Sequence, residues 1–290
     1  MRTTTWTTSS NRSVSQKRTR RVREALPFLG VGIWELGVIS AHTIGDVAHI
    51  KVTVSALQQM KRTGPKIVGL VVYDYQTAQI ADRAGVDLVS VGDSVGVTLW
   101  GHESETDVTL DQMLLACRGV RRGVRRALVS CDVPHRAMRE GPDTAVRAAR
   151  VLVNEGGAAL VKLDTDAEVV RAVVGAGISV WAQFSAHETD ACVAQARLLE
   201  DAGAAMLDFR HSGSTAGPAV TQAVSIPVLG GLGGGPWLDG RVRSIGNAIG
   251  NVAAALDDDV PRYASVARVT LDAITAYADD VRGGRQVRGL

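Results

Sequence analysis

Short runs of apolar residues alternate with longer amphipathic segments along most of the chain after residue 65. Each short run is apolar almost without interruption, which is the pattern of a strand buried on both faces of a parallel sheet. The seven runs cover residues 66–72, 86–91, 127–131, 159–163, 178–182, 204–207 and 226–229. The pattern therefore predicts a parallel sheet whose strands are joined by helices.

The segments between these runs are long enough to form helices. They cover residues 76–84, 110–119, 144–155, 166–174 and 189–202. A shorter helix that includes residues 54–60 is expected to end before Pro65, because proline cannot continue a helix. Several segments close on a glycine, at Gly85, Gly157 and Gly203, where a helix C-cap is expected. Strand and helix thus follow one another in a regular order.

Seven strand–helix units in succession predict an α/β fold, a (β/α)₈ TIM barrel. Its eighth strand is expected within residues 243–251, and a terminal helix over residues 261–282. A doubly wound open sheet is the alternative, and periodicity does not separate the two. The first run is not followed by GxGxxG, which disfavours the nucleotide-binding version of the open sheet.

The start of the chain differs from the rest in composition. Residues 1–24 are rich in Thr, Ser and Arg with almost no acid, which is typical of a segment that cannot bury enough surface to fold. We predict a basic, disordered extension over residues 1–50 and a barrel domain with a C-terminal helix over residues 51–290. An over-long start assignment, a transit peptide or a nucleic-acid arm are alternative interpretations of the extension.

Charge and cysteine content limit the class of protein. The net charge of +2 argues against a nucleic-acid reader of the ordinary basic kind, although residues 1–30 alone carry +6. Cys117, Cys131 and Cys192 are widely spaced, which fits a reducing compartment better than a disulfide framework. No stretch approaches the about 20 apolar residues of a membrane-spanning helix. We therefore predict a cytoplasmic protein with neither a membrane nor a nucleic-acid partner.

Acidic residues follow the first four predicted strands. They are Asp74, Asp93, Asp132 and Asp164, and Lys162 lies near the end of the fourth strand. In a (β/α)₈ barrel the carboxyl ends of the strands form the active-site face, although an Asp after a strand can also cap the next helix. Together with the lysine, the four favour a site. Carboxylates suit Mg²⁺, which can bind the ketone and carboxylate oxygens of a 2-oxo acid.

Four stretches are similar in sequence to one known family. They are VVYDYQTAQIADRAGVDLVSVGDSVGVTLWGHES (71–104), RRGVRRALVSCDVP (121–134), VLVNEGGAALVKLD (151–164) and SIPVLGGLGGGPWLDGRV (225–242). On these motifs the chain resembles the ketopantoate hydroxymethyltransferase family. The resemblance implies a barrel of the phosphoenolpyruvate mutase/isocitrate lyase superfamily and a homo-oligomer. It also implies Mg²⁺-dependent transfer of a hydroxymethyl group from 5,10-methylenetetrahydrofolate to 3-methyl-2-oxobutanoate in pantothenate biosynthesis.

The resemblance also implies roles for individual residues. Asp93 and Asp132 match the metal-binding aspartates of the family. Ser94 and Lys162 match residues that contact the 2-oxo acid. Asp164 stands where the family has a glutamate that supports the metal, and because its side chain is shorter we expect it to act through a water molecule.

The second half of the chain departs from the family pattern. Gln183 stands where the family has a substrate-contacting histidine, and we expect it to bind substrate in that place. The glycine-rich loop that normally follows is missing. Arg210 aligns with the catalytic glutamate, and an arginine cannot accept a proton near neutral pH. Asp208 and His211 are the two candidates for the base, while the alternative is that Asp208 and Arg210 form an ion pair at the rim.

The sequence therefore predicts an enzyme that forms 2-dehydropantoate through a metal-stabilised enolate, with Lys162 and either Asp208 or His211 as catalytic residues. Two alternatives stay open. The first is a diverged, metal-dependent aldolase or C–C lyase that acts on another 2-oxo acid. The second is a catalytically inactive homologue that keeps the barrel.

Overall fold

Eight parallel strands close into a barrel in the computed structural model, which describes residues 50–231, 234–287 and 289. The strands are β1 (Ile67–Val71), β2 (Leu88–Val91), β3 (Leu128–Asp132), β4 (Leu160–Asp164), β5 (Val180–Phe184), β6 (Met206–Phe209), β7 (Val228–Gly230) and β8 (Gly240–Ser244). Each strand pairs with the next, and β8 pairs with β1. The predicted barrel is confirmed, and the open-sheet alternative is wrong because no strand edge is left unpaired.

Helices precede, link and follow the strands. They are α1 (Val54–Thr63), α2 (Tyr75–Arg83), α3 (Leu110–Gly123), α4 (His135–Arg139), α5 (Pro142–Asn154), α6 (Ala167–Gly175), α7 (Thr189–Asp201), α8 (Ala216–Ala223), α9 (Ile245–Ile249) and α10 (Val266–Arg282). The predicted glycine caps hold: Gly85, Gly157 and Gly203 all have positive φ angles, which glycine adopts without steric cost. No helix in the described part of the chain is long and apolar enough to cross a membrane.

Large apolar side chains fill the barrel at the amino-terminal end of its strands. They belong to one buried cluster formed by Ile67, Leu88, Leu128, Leu160, Trp181, Met206, Leu229 and Val242 from the strands and Leu57 from α1. Most of these residues stand at or near the beginning of their strands, so they pack the amino-terminal end of the barrel, and α1 covers that end. The opposite end is left for polar side chains.

The strand register brings those polar side chains to the same level. Asp132 on β3 pairs with Lys162 on β4, and Asp164 at the end of β4 pairs with Gln183 on β5. Gln183 in turn pairs with Asp208 on β6. Parallel pairing therefore sets five chemically active residues from four consecutive strands side by side.

The eighth strand was predicted in the wrong place. It covers Gly240–Ser244, and the Ile245–Ile249 segment that was expected to be extended forms α9, whose first turn is capped by the Ser244 hydroxyl. In β8 the buried Gly240 and Val242 alternate with exposed arginines, so the strand lacks the continuous apolar pattern of the others. The terminal helix begins at Val266, five residues later than predicted. The extension predicted over residues 1–50 lies, apart from Ile50, outside the described residues.

The Asp82 carboxylate links α2 to the three residues that precede β3. Asp82 accepts hydrogen bonds from the backbone N–H groups of Arg125, Arg126 and Ala127 at 2.8–3.2 Å. Burial by itself would raise the pKa of Asp82, but the three N–H donors and the Arg126 charge outweigh it and lower the pKa below its ordinary value. The ionised carboxylate thus stabilises the folded chain.

Replacement of this carboxylate tests its contribution. We expect Asp82→Asn to lower the free energy of unfolding by about 2 kcal/mol at pH 7, because hydrogen bonds to a charged acceptor are lost. The lowered pKa means that the contribution is present above the ordinary Asp pKa of about 4 and disappears as the pH falls through the folded-state value. Urea unfolding at pH 7 and pH 3 measures both effects. Asp190→Asn, at an exposed position in the first turn of α7, is the control and should cost no more than about 1 kcal/mol; equal losses in both variants would contradict the prediction.

Candidate active site

A cavity of about 530 Å³ opens at the carboxyl ends of the strands. Among the residues that line it are seven of those predicted from the sequence: Asp93, Ser94, Asp132, Lys162, Asp164, Gln183 and Asp208. The remaining candidate, His211, is not among the lining residues. A volume of this size suits a small organic molecule. The cavity is therefore the candidate active site.

Two aspartates face each other on one side of the cavity. Asp93 follows β2 and Asp132 ends β3, and the Asp93 backbone N–H donates a hydrogen bond of 3.4 Å to Asp132 Oδ2. Gly92 makes this approach possible, because a Cβ at that position would lie 2.9 Å from Ser94 Oγ and 3.0 Å from a Val71 methyl group. The sequence Gly-Asp-Ser after β2 thus places the Asp93 backbone against the Asp132 carboxylate.

Burial makes these two carboxylates unusual. It raises the pKa of Asp132 to about 7, where Lys162 opposes the rise and Asp93 adds to it. Burial likewise raises the pKa of Asp93, against the positive charges of Lys162 and His135. Asp132 Oδ1 is buried and has no hydrogen-bond partner. A pair of carboxylates with a vacant buried oxygen would gain from a bound cation.

The donor set fits Mg²⁺, which binds one or two carboxylates and keeps several waters. Within the described residues no group of three or more His, Cys, Asp or Glu side chains is close enough to hold a metal ion. Asp164 is exposed, its Oδ2 accepts a hydrogen bond of 2.6 Å from Gln183 Nε2, and its charge raises the pKa of Asp93. Asp93 and Asp132 are the two residues that could hold the ion directly.

Lys162 points into the cavity, as its position between two apolar residues of β4 predicts. Its Nζ lies 2.8 Å from Asp208 Oδ2 and 5.2 Å from the centre of the Trp181 ring. Burial would lower the pKa of Lys162, but the charges of Asp132, Asp208 and Asp93 outweigh it and raise the pKa above its ordinary value. The side chain is therefore a fixed positive charge next to the aspartate pair.

The two base candidates lie in different surroundings. Asp208 is 3% exposed and pairs with Lys162, while its second oxygen, Oδ1, has no hydrogen-bond partner. The suggested ion pair with Arg210 is not formed, because the strand directs Asp208 inward towards β4. His211 is exposed in the turn after β6 with a φ of 56°. The structure thus brings Asp208, but not His211, into the cavity.

Several lining residues were missed by sequence reasoning. Tyr73, which follows β1, has its hydroxyl 3.0 Å from Ser94 Oγ, and burial raises the pKa of this phenol. Glu105 and His135 reach the cavity from a loop and from α4. Of these three residues, only Tyr73 could have been found from the sequence, because it lies in the motif after the first strand. Glu105 and His135 could not, because their approach to the cavity depends on the path of the chain after β2 and β3.

Two other sequence features have structural roles. Asp74, counted with the strand-end aspartates, caps α2 by accepting a hydrogen bond of 2.9 Å from the Thr77 backbone N–H. Arg241 on β8 donates hydrogen bonds to the backbone carbonyls of Gly230, Gly231 and Gly234. The glycine-rich segment is therefore held by an arginine of the chain itself.

Comparison with known proteins gives one consistent family. The family model described as ketopantoate hydroxymethyltransferase matches residues 51–286. The chain is 35% identical over 254 residues to the 3-methyl-2-oxobutanoate hydroxymethyltransferase of Oleidesulfovibrio alaskensis. This match covers 80% of this chain and 87% of the relative. Its identity to the enzyme of the same name from Salinibacter ruber is 36% over 253 residues, covering 80% of this chain and 95% of the relative.

Solved structures agree on the fold. The chain superimposes on 2,3-dimethylmalate lyase, a member of the phosphoenolpyruvate mutase/isocitrate lyase superfamily, with a TM-score of 0.56. The match covers 70% of this chain and 83% of the lyase at 19% sequence identity. At this identity the likeness concerns the barrel alone, and it confirms the predicted fold class.

The buried ion pair in the cavity allows a stability test. We expect Lys162→Met to lower the free energy of unfolding by about 3–5 kcal/mol, because Asp208 is left charged and buried without a partner. Arg136→Met breaks an ion pair whose side chains are 85% and 49% exposed, and should cost less than about 1 kcal/mol. Urea unfolding compares the two variants. The double variant Lys162→Met/Asp208→Leu should regain much of the loss, and a single-variant loss equal to that of Arg136→Met would contradict the assignment.

Proposed function

The chain belongs to the ketopantoate hydroxymethyltransferase family, and we propose that it transfers a hydroxymethyl group to 3-methyl-2-oxobutanoate to give 2-dehydropantoate, a step of pantothenate biosynthesis. The observation that carries the proposal is the meeting of Asp93, Asp132 and Lys162 on one side of the cavity. Two carboxylates for a cation and one fixed ammonium group are what a 2-oxo acid requires for binding. We propose 5,10-methylenetetrahydrofolate as the donor of the one-carbon unit.

Asp93 and Asp132 would hold Mg²⁺, with Asp164 in support through a water molecule. The ion would act as a Lewis acid towards the ketone oxygen of the substrate. The support for this assignment is the unpartnered buried oxygen of Asp132 and the raised pKa values of both aspartates, which a bound cation would reverse. The proximity of Asp93 to Asp132 further favours one shared ion.

The remaining polar groups would orient the 2-oxo acid. Lys162 carries a positive charge that the surrounding carboxylates maintain, so it attracts the negative charge of the substrate. Ser94, with its hydroxyl held by Tyr73, can donate to a carboxylate oxygen. Gln183 is buried, lines the cavity and donates to Asp164, and its carbonyl oxygen has no hydrogen-bond partner among the described residues. These groups would hold the 2-oxo acid by its charge and its polar atoms.

A second candidate function is favoured by Arg210. The guanidinium lines the cavity and has no hydrogen bond or ion pair among the described residues. A free arginine suits a second carboxylate on the substrate, because its planar donors match carboxylate oxygens. The corresponding reaction is an aldolase or C–C lyase reaction on a dicarboxylic 2-oxo acid. Replacing the folate donor with simple aldehydes, and the substrate with such an acid, separates the two functions.

The functional test is product formation. With Mg²⁺, 3-methyl-2-oxobutanoate and 5,10-methylenetetrahydrofolate, we expect 2-dehydropantoate to form, and chelation with EDTA to stop the reaction reversibly. Asp93→Asn and Asp132→Asn should each lower kcat/KM by more than about 100-fold, beyond the 10–100-fold typical of residues that only support a metal ligand. Both should also lose the rise in melting temperature that Mg²⁺ gives the unaltered protein.

Asp111→Asn is the control, since Asp111 is exposed in the first turn of α3 and away from the cavity. It should leave both readouts unchanged. Full activity after chelation would exclude the metal role. Absence of turnover on every 2-oxo acid and electrophile tried would instead identify an inactive barrel that retains the site.

We propose that the protein works in the cytoplasm, which the three free and buried cysteines, Cys117, Cys131 and Cys192, support. We further propose a homo-oligomer. No residue of α10 is buried in the single chain, and Ile274, Tyr277 and Val281 are exposed at helical spacing. Light scattering should give a mass that is a multiple of 30.6 kDa, and a mass of one chain would contradict the proposal.

A further inference from the structure

The proposed reaction needs a group that accepts the proton from C3 of the 2-oxo acid. Asp208 is poorly suited, because Lys162 Nζ already lies 2.8 Å from one of its carboxylate oxygens. His211 lies outside the cavity. Arg210 stays protonated at neutral pH. A lining carboxylate that no cation holds is therefore a better candidate for the base.

Five carboxylates line the cavity, and their partners distinguish them: Asp93, Glu105, Asp132, Asp164 and Asp208. Asp93 and Asp132 form the pair suited to a cation. Asp164 accepts a hydrogen bond from Gln183, and Asp208 pairs with Lys162. The Glu105 carboxylate has neither a hydrogen bond nor an ion pair with any described residue, and it takes no part in the proposed metal site.

Glu105 is held in place by the turn on which it stands. The residues Glu105–Asp107 form a single 3₁₀ turn between β2 and α3. Ser104 caps this turn, since its hydroxyl accepts from the Thr106 backbone N–H at 3.1 Å while its own N–H donates to Asp107 Oδ2 at 3.2 Å. The Glu105 side chain is thus free to reach into the cavity from a backbone that is fixed at both ends.

The electrostatic surroundings of Glu105 place it among the reacting groups. Glu105 is an exposed residue, but desolvation and the charge of Asp93 both raise its pKa. Arg210, Lys162 and His135 oppose the rise. Glu105 therefore interacts with one side of the proposed metal site and with the unpaired arginine. A carboxylate whose pKa is moved towards neutrality is a stronger base than an ordinary one.

We propose that Glu105 is the general base that removes the proton from C3 of the 2-oxo acid. This assignment rests on the proposed function and adds a catalytic residue to it. The proton passes from C3 to a carboxylate oxygen of Glu105. The electron pair of the C–H bond forms the C2–C3 double bond, and the ketone oxygen takes the negative charge, so no oxidant or further reactant is needed.

Proton exchange isolates this step from the one-carbon donor. In D₂O with Mg²⁺, the unaltered protein should exchange the C3 proton of 3-methyl-2-oxobutanoate, as followed by proton NMR. We expect Glu105→Gln to slow the exchange by about 100-fold or more, the usual contribution of a positioned base. Glu103→Gln is the matched control, because Glu103 stands on the same loop, is exposed and does not line the cavity; its rate should be unchanged.

The outcomes separate this proposal from the proposed function. If the unaltered protein exchanges the C3 proton and Glu105→Gln does so at a rate within a few-fold of it, the role of Glu105 is overturned. Enolate formation by the protein would then still stand. Loss of exchange in Asp208→Asn but not in Glu105→Gln would assign the base to Asp208. Absence of exchange in the unaltered protein would overturn the proposed function and this inference with it. Binding of the 2-oxo acid to Glu105→Gln, measured by calorimetry with Mg²⁺, should be retained.

A pH profile gives a readout that a purely structural role would not change. The exchange rate should rise with pH as Glu105 loses its proton, and then level off. The charged and titratable groups that interact with Glu105 are Asp93, His135, Lys162 and Arg210, together with the Tyr73 hydroxyl. Because Arg210 holds the pKa of Glu105 down, Arg210→Gln should shift the rise to higher pH. A shift to lower pH, or none, would contradict the proposal.

Discussion

The acidic end of the barrel depends on the Lys162 ammonium group. Four strands end there with carboxylate or amide side chains in register, and burial alone would drive the aspartates towards their neutral forms. Lys162 pairs directly with Asp208 and opposes the rise in pKa that burial causes at Asp93 and Asp132. One cation, protected from solvent and held over the Trp181 ring, thus allows a layer of charged groups to exist inside a parallel barrel.

The part of the site that follows directly from strand geometry was predictable. A buried parallel strand is a continuous apolar run, so the sequence showed where seven strands end. Because all carboxyl ends of a parallel barrel meet at one face, the residues after those ends were expected to converge, and Asp93, Asp132, Lys162 and Asp164 do line one cavity. The prediction needed no knowledge of side-chain contacts, only of chain direction.

What lay outside this rule was not predictable. β8 alternates buried Val242 with exposed arginines, so its pattern was hidden by the more apolar segment that follows it. Asp74 occupies a strand-end position like the others, yet the next helix begins so soon that its carboxylate caps the backbone. Glu105 lies on a loop between β2 and α3, and its entry into the cavity is a property of the folded connection. The local sequence pattern thus predicts the buried strands well, but it does not predict how the segments between them fold back over the barrel.

The carboxylates of the cavity are chemically alike, so their surroundings must assign their roles. The charge of Asp93 raises the pKa of Asp132 and Lys162 offsets this only in part, so a bound cation would stabilise the two carboxylates. The Asp208 carboxylate differs, because one of its oxygens is already held by the Lys162 ammonium group. A carboxylate that lines the cavity without such a partner can take up a proton with no ion pair to break, and a nearby negative charge such as that of Asp93 raises its pKa and improves it as a base. Glu105 meets these conditions. The role of each carboxylate in this cavity thus follows from whether a positively charged group pairs with it.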